Sequence, residues 1–213
     1  MRDMKDSGIE WIGEILKDWY VDRVKYHFSN HKYIVGLKAD KYQRLALTLK
    51  GVIKRSKDDC DGLQPTEFFG YQILKENELV FKLIDLQNIS TSRVGLSKFN
   101  GIVSPAYIVL TKRGSILPSF AEKYFLSMWY RNIFNYLADN GVRKNLGAQD
   151  LLDQCIVYPN IVKQKKIVDL LDKKCYEIDN LISDIQTQIE TFEDYKKSVI
   201  SEALFMNGVD LEP

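Results

Sequence analysis

The longest regular pattern in this chain is an apolar repeat of seven residues near its end. Leu171, Ile178, Ile185, Phe192 and Val199 fall seven apart; Cys175, Ile182 and Ile189 widen the stripe, and Leu181 and Tyr195 border it. No Gly or Pro interrupts residues 164–206. The pattern predicts one helix of about 43 residues, roughly 65 Å long at the 1.5 Å rise of an α-helix. Apolar heptads sustained over four or more repeats predict a coiled-coil partner. The first two turns are expected to pack on the chain's own domain. The remaining stripe exceeds what a domain of this size can cover, so a second surface is expected against it.

Upstream the periods are mixed. Residues 42–49 alternate polar and apolar and read as a strand, and 78–84 reads as another. Residues 102–103 and 106–110 read as one further strand interrupted by Ser104-Pro105, as at an edge or bulge. Residues 24–28 fit a short helix or a strand. Phe120, Tyr124, Phe125, Met128 and Trp129 recur at helical spacing, predicting a helix over 118–137. A short helix near 148–154 leads to a last strand at 155–158, which Pro159 ends. Trp11 and Trp19 predict that the amino-terminal arm docks onto the domain. The fold class is α+β: a mixed α/β domain over 1–162, a long coiled-coil helix over 163–206 and a tail over 207–213.

Composition adds little until it is resolved along the chain. Hydrophobic content of 45% and charged content of 28% are those of an ordinary globular protein. No apolar run approaches the roughly 18 residues that cross a bilayer, and the start lacks a signal-peptide core. Cys60, Cys155 and Cys175 are odd in number and far apart, which predicts a reducing cytoplasm over a disulfide scaffold or zinc site. The net charge of +1 argues against a nucleic-acid partner until its distribution is read. Residues 22–57 hold ten Lys or Arg against Asp22 and Asp40 alone, whereas 150–213 hold seven Lys against thirteen acids. One basic face and one acidic region follow. The simpler alternative is that these lysines merely solvate a surface loop.

Catalytic signatures are scarce. The sequence contains no GxxxxGK[ST] loop, GxGxxG turn, GxSxG elbow or HExxH pair, and no Asn-Pro-Pro-aromatic tetrapeptide. His27 and His31 stand four apart, but no Cys, Asp or Glu lies at ligand spacing, which favours two partly exposed histidines in a basic segment. Asp172-Lys173-Lys174 matches half of a nuclease motif, yet Asp172 and Lys174 fall on different faces of the long helix. Binding chemistry is better represented. Lys and Arg displace counterions from phosphates, while Asn, Gln, Ser and Arg can read base edges. Three polar clusters supply these types. The first gives Lys32, Lys38, Lys41, Gln43, Arg44, Lys54, Arg55 and Lys57; the second Asn88, Ser90, Ser92 and Arg93; the third Arg143, Lys144 and Asn145. Each cluster alone is what turns are made of.

Several stretches together resemble the specificity (S) subunits of type I restriction–modification systems. The run Lys5-Asp6-Ser7-Gly8-Ile9-Glu10-Trp11-Ile12-Gly13-Glu14-Ile15, with Asp18-Trp19, resembles the family's entry into a target-recognition domain. Gly101-Ile102-Val103-Ser104-Pro105-Ala106-Tyr107 is similar to a family strand. Tyr158-Pro159 followed by Gln164-Lys165-Lys166-Ile167 is similar to the junction into its conserved helix, and Lys196-Lys197-Ser198-Val199-Ile200 fits the helix end. Leu16 and Asn160 stand where the family usually has proline.

The resemblance implies a non-catalytic subunit that binds double-stranded DNA and reads a bipartite target. It implies docking of methyltransferase subunits, with a restriction subunit joining for cleavage. The chain itself would need no cofactor; S-adenosylmethionine, ATP and Mg would belong to those partners. One recognition domain with one helix resembles half of such a subunit, natural or truncated. The expectation is a homodimer, or a pair with another half subunit, through Leu171, Ile178, Ile182, Ile185, Ile189, Phe192 and Val199. The helix length would then set the unread gap between half-sites. The alternative is a coiled-coil adaptor without DNA affinity.

Overall fold

The computed structural model describes residues 3–57, 67–86, 91–139 and 145–206. In chain order these form β1 (Met4–Asp6), β2 (Glu14–Leu16), β3 (Tyr20–Arg23), β4 (Phe28–Ser29), β5 (Arg44–Thr48), β6 (Gly51–Arg55), β7 (Gln72–Leu74), β8 (Leu79–Phe81), β9 (Val94–Leu96), β10 (Gly101–Val103) and β11 (Ile108–Lys112). Helices α1 (Pro118–Tyr130), α2 (Ile133–Asp139) and α3 (Ala148–Leu152) follow, then β12 (Cys155–Tyr158) and α4 (Ile161–Ser201), which ends in a π turn, Glu202–Met206. The α+β class expected from the sequence is the class observed.

Period-two alternation explains how the strands stack. On β8, Leu79 and Phe81 enter one apolar cluster while Val80 enters a second; on β11, Ile108 and Leu110 divide from Val109 in the same way. Sheet β4-β11-β8-β9 is therefore covered on both faces. Helices α1 and α2 bury Phe120, Phe125, Met128 and Phe134 against one face, with the Phe81 and Phe125 rings edge-to-face at 5.0 Å. Each such side chain contributes about 1.5–3 kcal/mol by leaving water. The other face meets sheet β6-β5-β10-β7 through Leu45, Leu47, Val52, Leu74 and Val103. Val35, Ala39 and Ile102 close a third cluster on the far side of that sheet.

Three expectations need correction. The strand predicted across 102–110 is two strands in different sheets, β10 beside β5 and β7, and β11 between β4 and β8. Ser104-Pro105 is thus a crossover, with no ladder continuing through it. The helix predicted over 118–137 breaks after Tyr130, because Asn132 takes φ 56° and the chain restarts as α2. Asparagine tolerates that left-handed conformation better than most residues. The long helix begins at Ile161, three residues before the predicted start, because Asn160 caps it: its Oδ1 accepts the Lys163 amide at 3.0 Å. The cap also accounts for asparagine at 160, where a second proline was expected; proline has no side-chain acceptor.

The chain divides into two compact units, residues 1–168 and 169–213. Within the first, β12 pairs with β3 along its whole length, from Cys155 opposite Arg23 to Tyr158 opposite Tyr20. The amino-terminal arm docks: Trp11 packs on the main core, Arg131 donates to its carbonyl at 2.8 Å, and the guanidinium lies 5.7 Å from the Trp11 ring. Gln164, 1% exposed, accepts the Leu117 amide at the start of α1 and donates to Pro159 O. Val168 joins the same core, so the first two turns of α4 pack as predicted.

The described part of the second unit is helical and buries none of its side chains. Leu171, Ile178, Ile182, Ile185, Ile189, Phe192 and Val199 are 39–70% exposed. Lys174–Glu177 and Lys197–Asp194 pairs at 2.7 and 2.8 Å are the sort that add a few tenths of a kcal/mol to an exposed helix. No described helix is long and apolar enough to cross a membrane.

Candidate nucleic-acid interface

The basic stretch of the sequence becomes a hairpin and a turn on one sheet. Strands β5 and β6 pair Arg44 with Arg55 and Leu45 with Lys54. Before them, Gly36–Lys41 forms a 3-10 turn. Several candidate cations are already held by the fold. Arg44 is only 6% exposed, donates to Ser56 O at 3.2 Å and lies 5.6 Å from the Phe68 ring. Gln43 donates to Arg44 O and Arg55 O at 3.0 and 2.7 Å. Lys57 donates to Ala39 O and Asp40 O, Lys32 donates to Pro105 O, and Lys54 sits 4.8 Å from the Phe99 ring. Lys38 and Lys41 are exposed and make no side-chain bond or ion pair to described residues.

The second and third polar clusters meet at their roots. Leu146 N donates to Leu83 O at 3.0 Å, and Asn145 Oδ1 accepts the Asp85 amide at 3.1 Å. Asn145 is exposed, but its carbonyl oxygen positions a loop. Arg93 departs furthest from a base reader. Its side chain is fully buried, and its guanidinium donates to Ile84 O at 3.2 Å and Asp85 O at 2.7 Å. Burial pushes its pKa down; burial and the Arg93 charge do the same to Lys82, whose ammonium donates to Thr91 Oγ1 at 3.1 Å. Ser92 is buried too and donates to Val94 O at 2.6 Å. Arg93 and Ser92 therefore tie the described ends of this segment together from inside. Asn88, Ser90, Arg143 and Lys144 lie outside the described residues, as do Cys60 and the tail.

The basic hairpin and the second cluster are neighbours through β9. A Cβ at Gly95 would lie 2.7 Å from Leu47 Cδ1 and 3.1 Å from Val52 Cγ2, so the bare glycine lets β9 press onto β5 and β6. The structure thus gathers the described parts of two clusters around one sheet pair and ties the third to the second.

Some residues here were not singled out by the sequence. Leu37, at the tip of the 3-10 turn, is 89% exposed, and Tyr33, Ile34 and Phe69 nearby are 45–56% exposed. Lys75 stands 5.9 Å from the Tyr33 ring. The only sequence signal was an apolar residue between Gly36 and Lys38, where turns are normally polar. His27 also departs from expectation: at 6% exposure it is buried, with Nε2 3.2 Å from Asp22 Oδ2 and its ring against Tyr158. Tyr158 donates to the same carboxylate oxygen, and burial together with that carboxylate pushes its phenol up to about 12. His31 is exposed and lies beside Tyr33, so the two histidines share no site. Among the described residues no three His, Cys, Asp or Glu side chains converge as a metal site. A cavity of about 440 Å³ near the amino-terminal arm is lined by Glu10, Asp150 and Asp153 with Arg23, and its acidic balance does not suit a phosphate backbone.

Two stacked four-stranded sheets, helices on one outer face, a basic turn on the other and a long terminal helix define the architecture. It is the fold of type I restriction–modification specificity subunits. A chain from a structure of a type I R-M system, solved for its complex assembly and conformational transition, matches 94% of this chain with a TM-score of 0.59 and 15% identity. The type I restriction-modification S subunit from M. genitalium matches 82% with a TM-score of 0.50 and 14% identity. This chain spans 48% and 44% of those two chains, less than half of each. No protein-family model and no curated protein sequence matches it.

Proposed function

We propose that this chain is a non-catalytic DNA-recognition subunit of a type I restriction–modification complex, reading one half of a bipartite target. It docks methyltransferase subunits and pairs with a second copy through α4. The observation that carries this reading is the bare heptad stripe, joined to a specificity-subunit fold. Two-fold symmetry makes the pair read inverted copies of one half-site, giving an interrupted palindrome. Lys38 and Lys41 contribute register and affinity through phosphates, while base reading falls to the loops around the sheet pair.

The engagement of Gln43, Arg44, Ser92 and Arg93 by their own backbone favours a second reading, a coiled-coil adaptor without DNA affinity. Salt dependence separates the two. A DNA reader binds random-sequence duplex tightly at low salt and loses affinity steeply towards physiological salt. Selection from a random duplex pool is expected to return an interrupted palindrome. A non-palindromic site would overturn the symmetric pair, and absence of binding at low salt would leave the adaptor.

A further inference from the structure

We infer that Leu37 is a wedge that enters the base stack of duplex DNA while Lys38 and Lys41 hold nearby phosphates. The inference rests on the proposed DNA-reading function and names one residue and one mode of contact within it.

A single exposed leucine on a protein surface needs no explanation. Leu37 differs in its degree of exposure, its mount and its setting. At 89% it is the most exposed large apolar side chain among the described residues. Its turn is pinned on both sides. Val35 and Ala39 are buried in the third apolar cluster, Val35 N donates to Tyr71 O at 2.9 Å, and Gly36 N donates to Phe69 O at 3.2 Å. Lys57 clamps the far end through Ala39 O and Asp40 O at 2.8 and 3.0 Å. Gly36 adopts φ 58°, a left-handed conformation that directs the chain outward and that other residues reach only with strain. The pinned backbone holds Leu37 away from the described residues of its own domain.

The setting favours nucleic acid over protein as the occupant. Residues 23–57 carry ten Lys or Arg and a single acid, Asp40. Three cations of this stretch, Lys38, Lys41 and Lys50, are exposed and make no side-chain bond or ion pair to described residues, and the first two lie on the same turn as Leu37. Protein interfaces are depleted of lysine, and leucine is under-represented among their dominant residues. Proteins that kink DNA instead combine an inserted Leu, Ile, Met, Phe or Pro with flanking cations, unstacking one base step and bending the duplex. Exposed Tyr33, Ile34 and Phe69 continue the apolar rim, which suits the opened step and the sugar edges beside it.

The test uses the full chain and a duplex selected by it from a random pool. Bending is read by circular-permutation mobility, and unstacking by 2-aminopurine fluorescence scanned along the site. The wild-type chain should bend the duplex and brighten 2-aminopurine at one step. Leu37→Ala should remove most of the bend and the fluorescence gain and weaken binding roughly tenfold, while Leu37→Met, another natural wedge, should keep both. Lys38→Ala with Lys41→Ala should instead weaken binding to every sequence and lower the salt slope by about two contacts. A Leu37→Ala chain that bends and unstacks DNA as the wild type does would overturn the wedge alone. The same result with loss of co-purifying methyltransferase subunit would reassign Leu37 to a protein interface. If the wild-type chain selects no duplex, the DNA-reading function fails and the wedge with it.

Discussion

Replacing Gly101 with alanine would drive a Cβ to 2.3 Å from Gln43 O and 2.7 Å from Leu45 Cγ, where β10 runs parallel to β5. The first neighbour is backbone and cannot swing aside, so Gly101→Ala should lose about 3 kcal/mol, the upper end of overpacking costs, in chemical denaturation. Arg93→Met should behave similarly for another reason. It leaves the carbonyls of Ile84 and Asp85 without their buried donor, and unsatisfied buried polar groups cost about 1–3 kcal/mol each. Its effect on DNA affinity should follow stability and show no altered base preference at any position of the selected site. Tyr158 gives a pH signature. The folded state holds its phenolic proton up to about 12, whereas the unfolded chain releases it near 10. Between those values the unfolded state binds fewer protons, so stability falls as pH rises. Tyr158→Phe should flatten this part of the stability–pH curve; other buried tyrosines are common to both proteins and cancel. Composition could flag Arg93 but could not say whether its donors meet a base or the chain's own carbonyls. That depends on which carbonyls the fold leaves open, a non-local fact.

At the level of elements, legibility tracked how local the deciding interaction was. Strand β12 could be read to the residue because an apolar run ends at Pro159. The break between α1 and α2 was missed because apolar spacing continues through Ile133 and Phe134, and only the conformation of Asn132 interrupts it. β10 and β11 were merged because both are apolar and close in sequence, whereas their partners lie in different sheets. The stripe on α4 was legible because a heptad repeat needs no tertiary information. Ile185, 53% exposed within one chain, sits near its middle. Ile185→Asp should convert the proposed dimer to a monomer in sedimentation at micromolar concentration, with the melting of the first unit unchanged. A variant that stays dimeric would refute pairing through this stripe.

At the scale of the whole molecule, the general architecture was readable, and so was the likeness to specificity subunits. The interface itself was not. Leu37 carries little signal in the sequence because its distinction is a matter of exposure and mounting. Pairing through α4 carries a quantitative expectation. Removing one heptad, residues 179–185, keeps the stripe in phase and shortens the helix by about 10 Å. At 3.4 Å per base pair, the unread gap in the selected target should contract by about three base pairs with both half-sites intact. A target of unchanged spacing would count against the helix as the determinant of that gap.

The pairing of β3 with β12 has one more consequence. The segment between them is entered and left through two adjacent strands, with Tyr20 opposite Tyr158. Chain ends that meet in this way tolerate being moved or inserted elsewhere. If the chain reads DNA as proposed, recombination at these two neighbouring seams would exchange the bracketed segment whole, without redesigning a surface residue by residue.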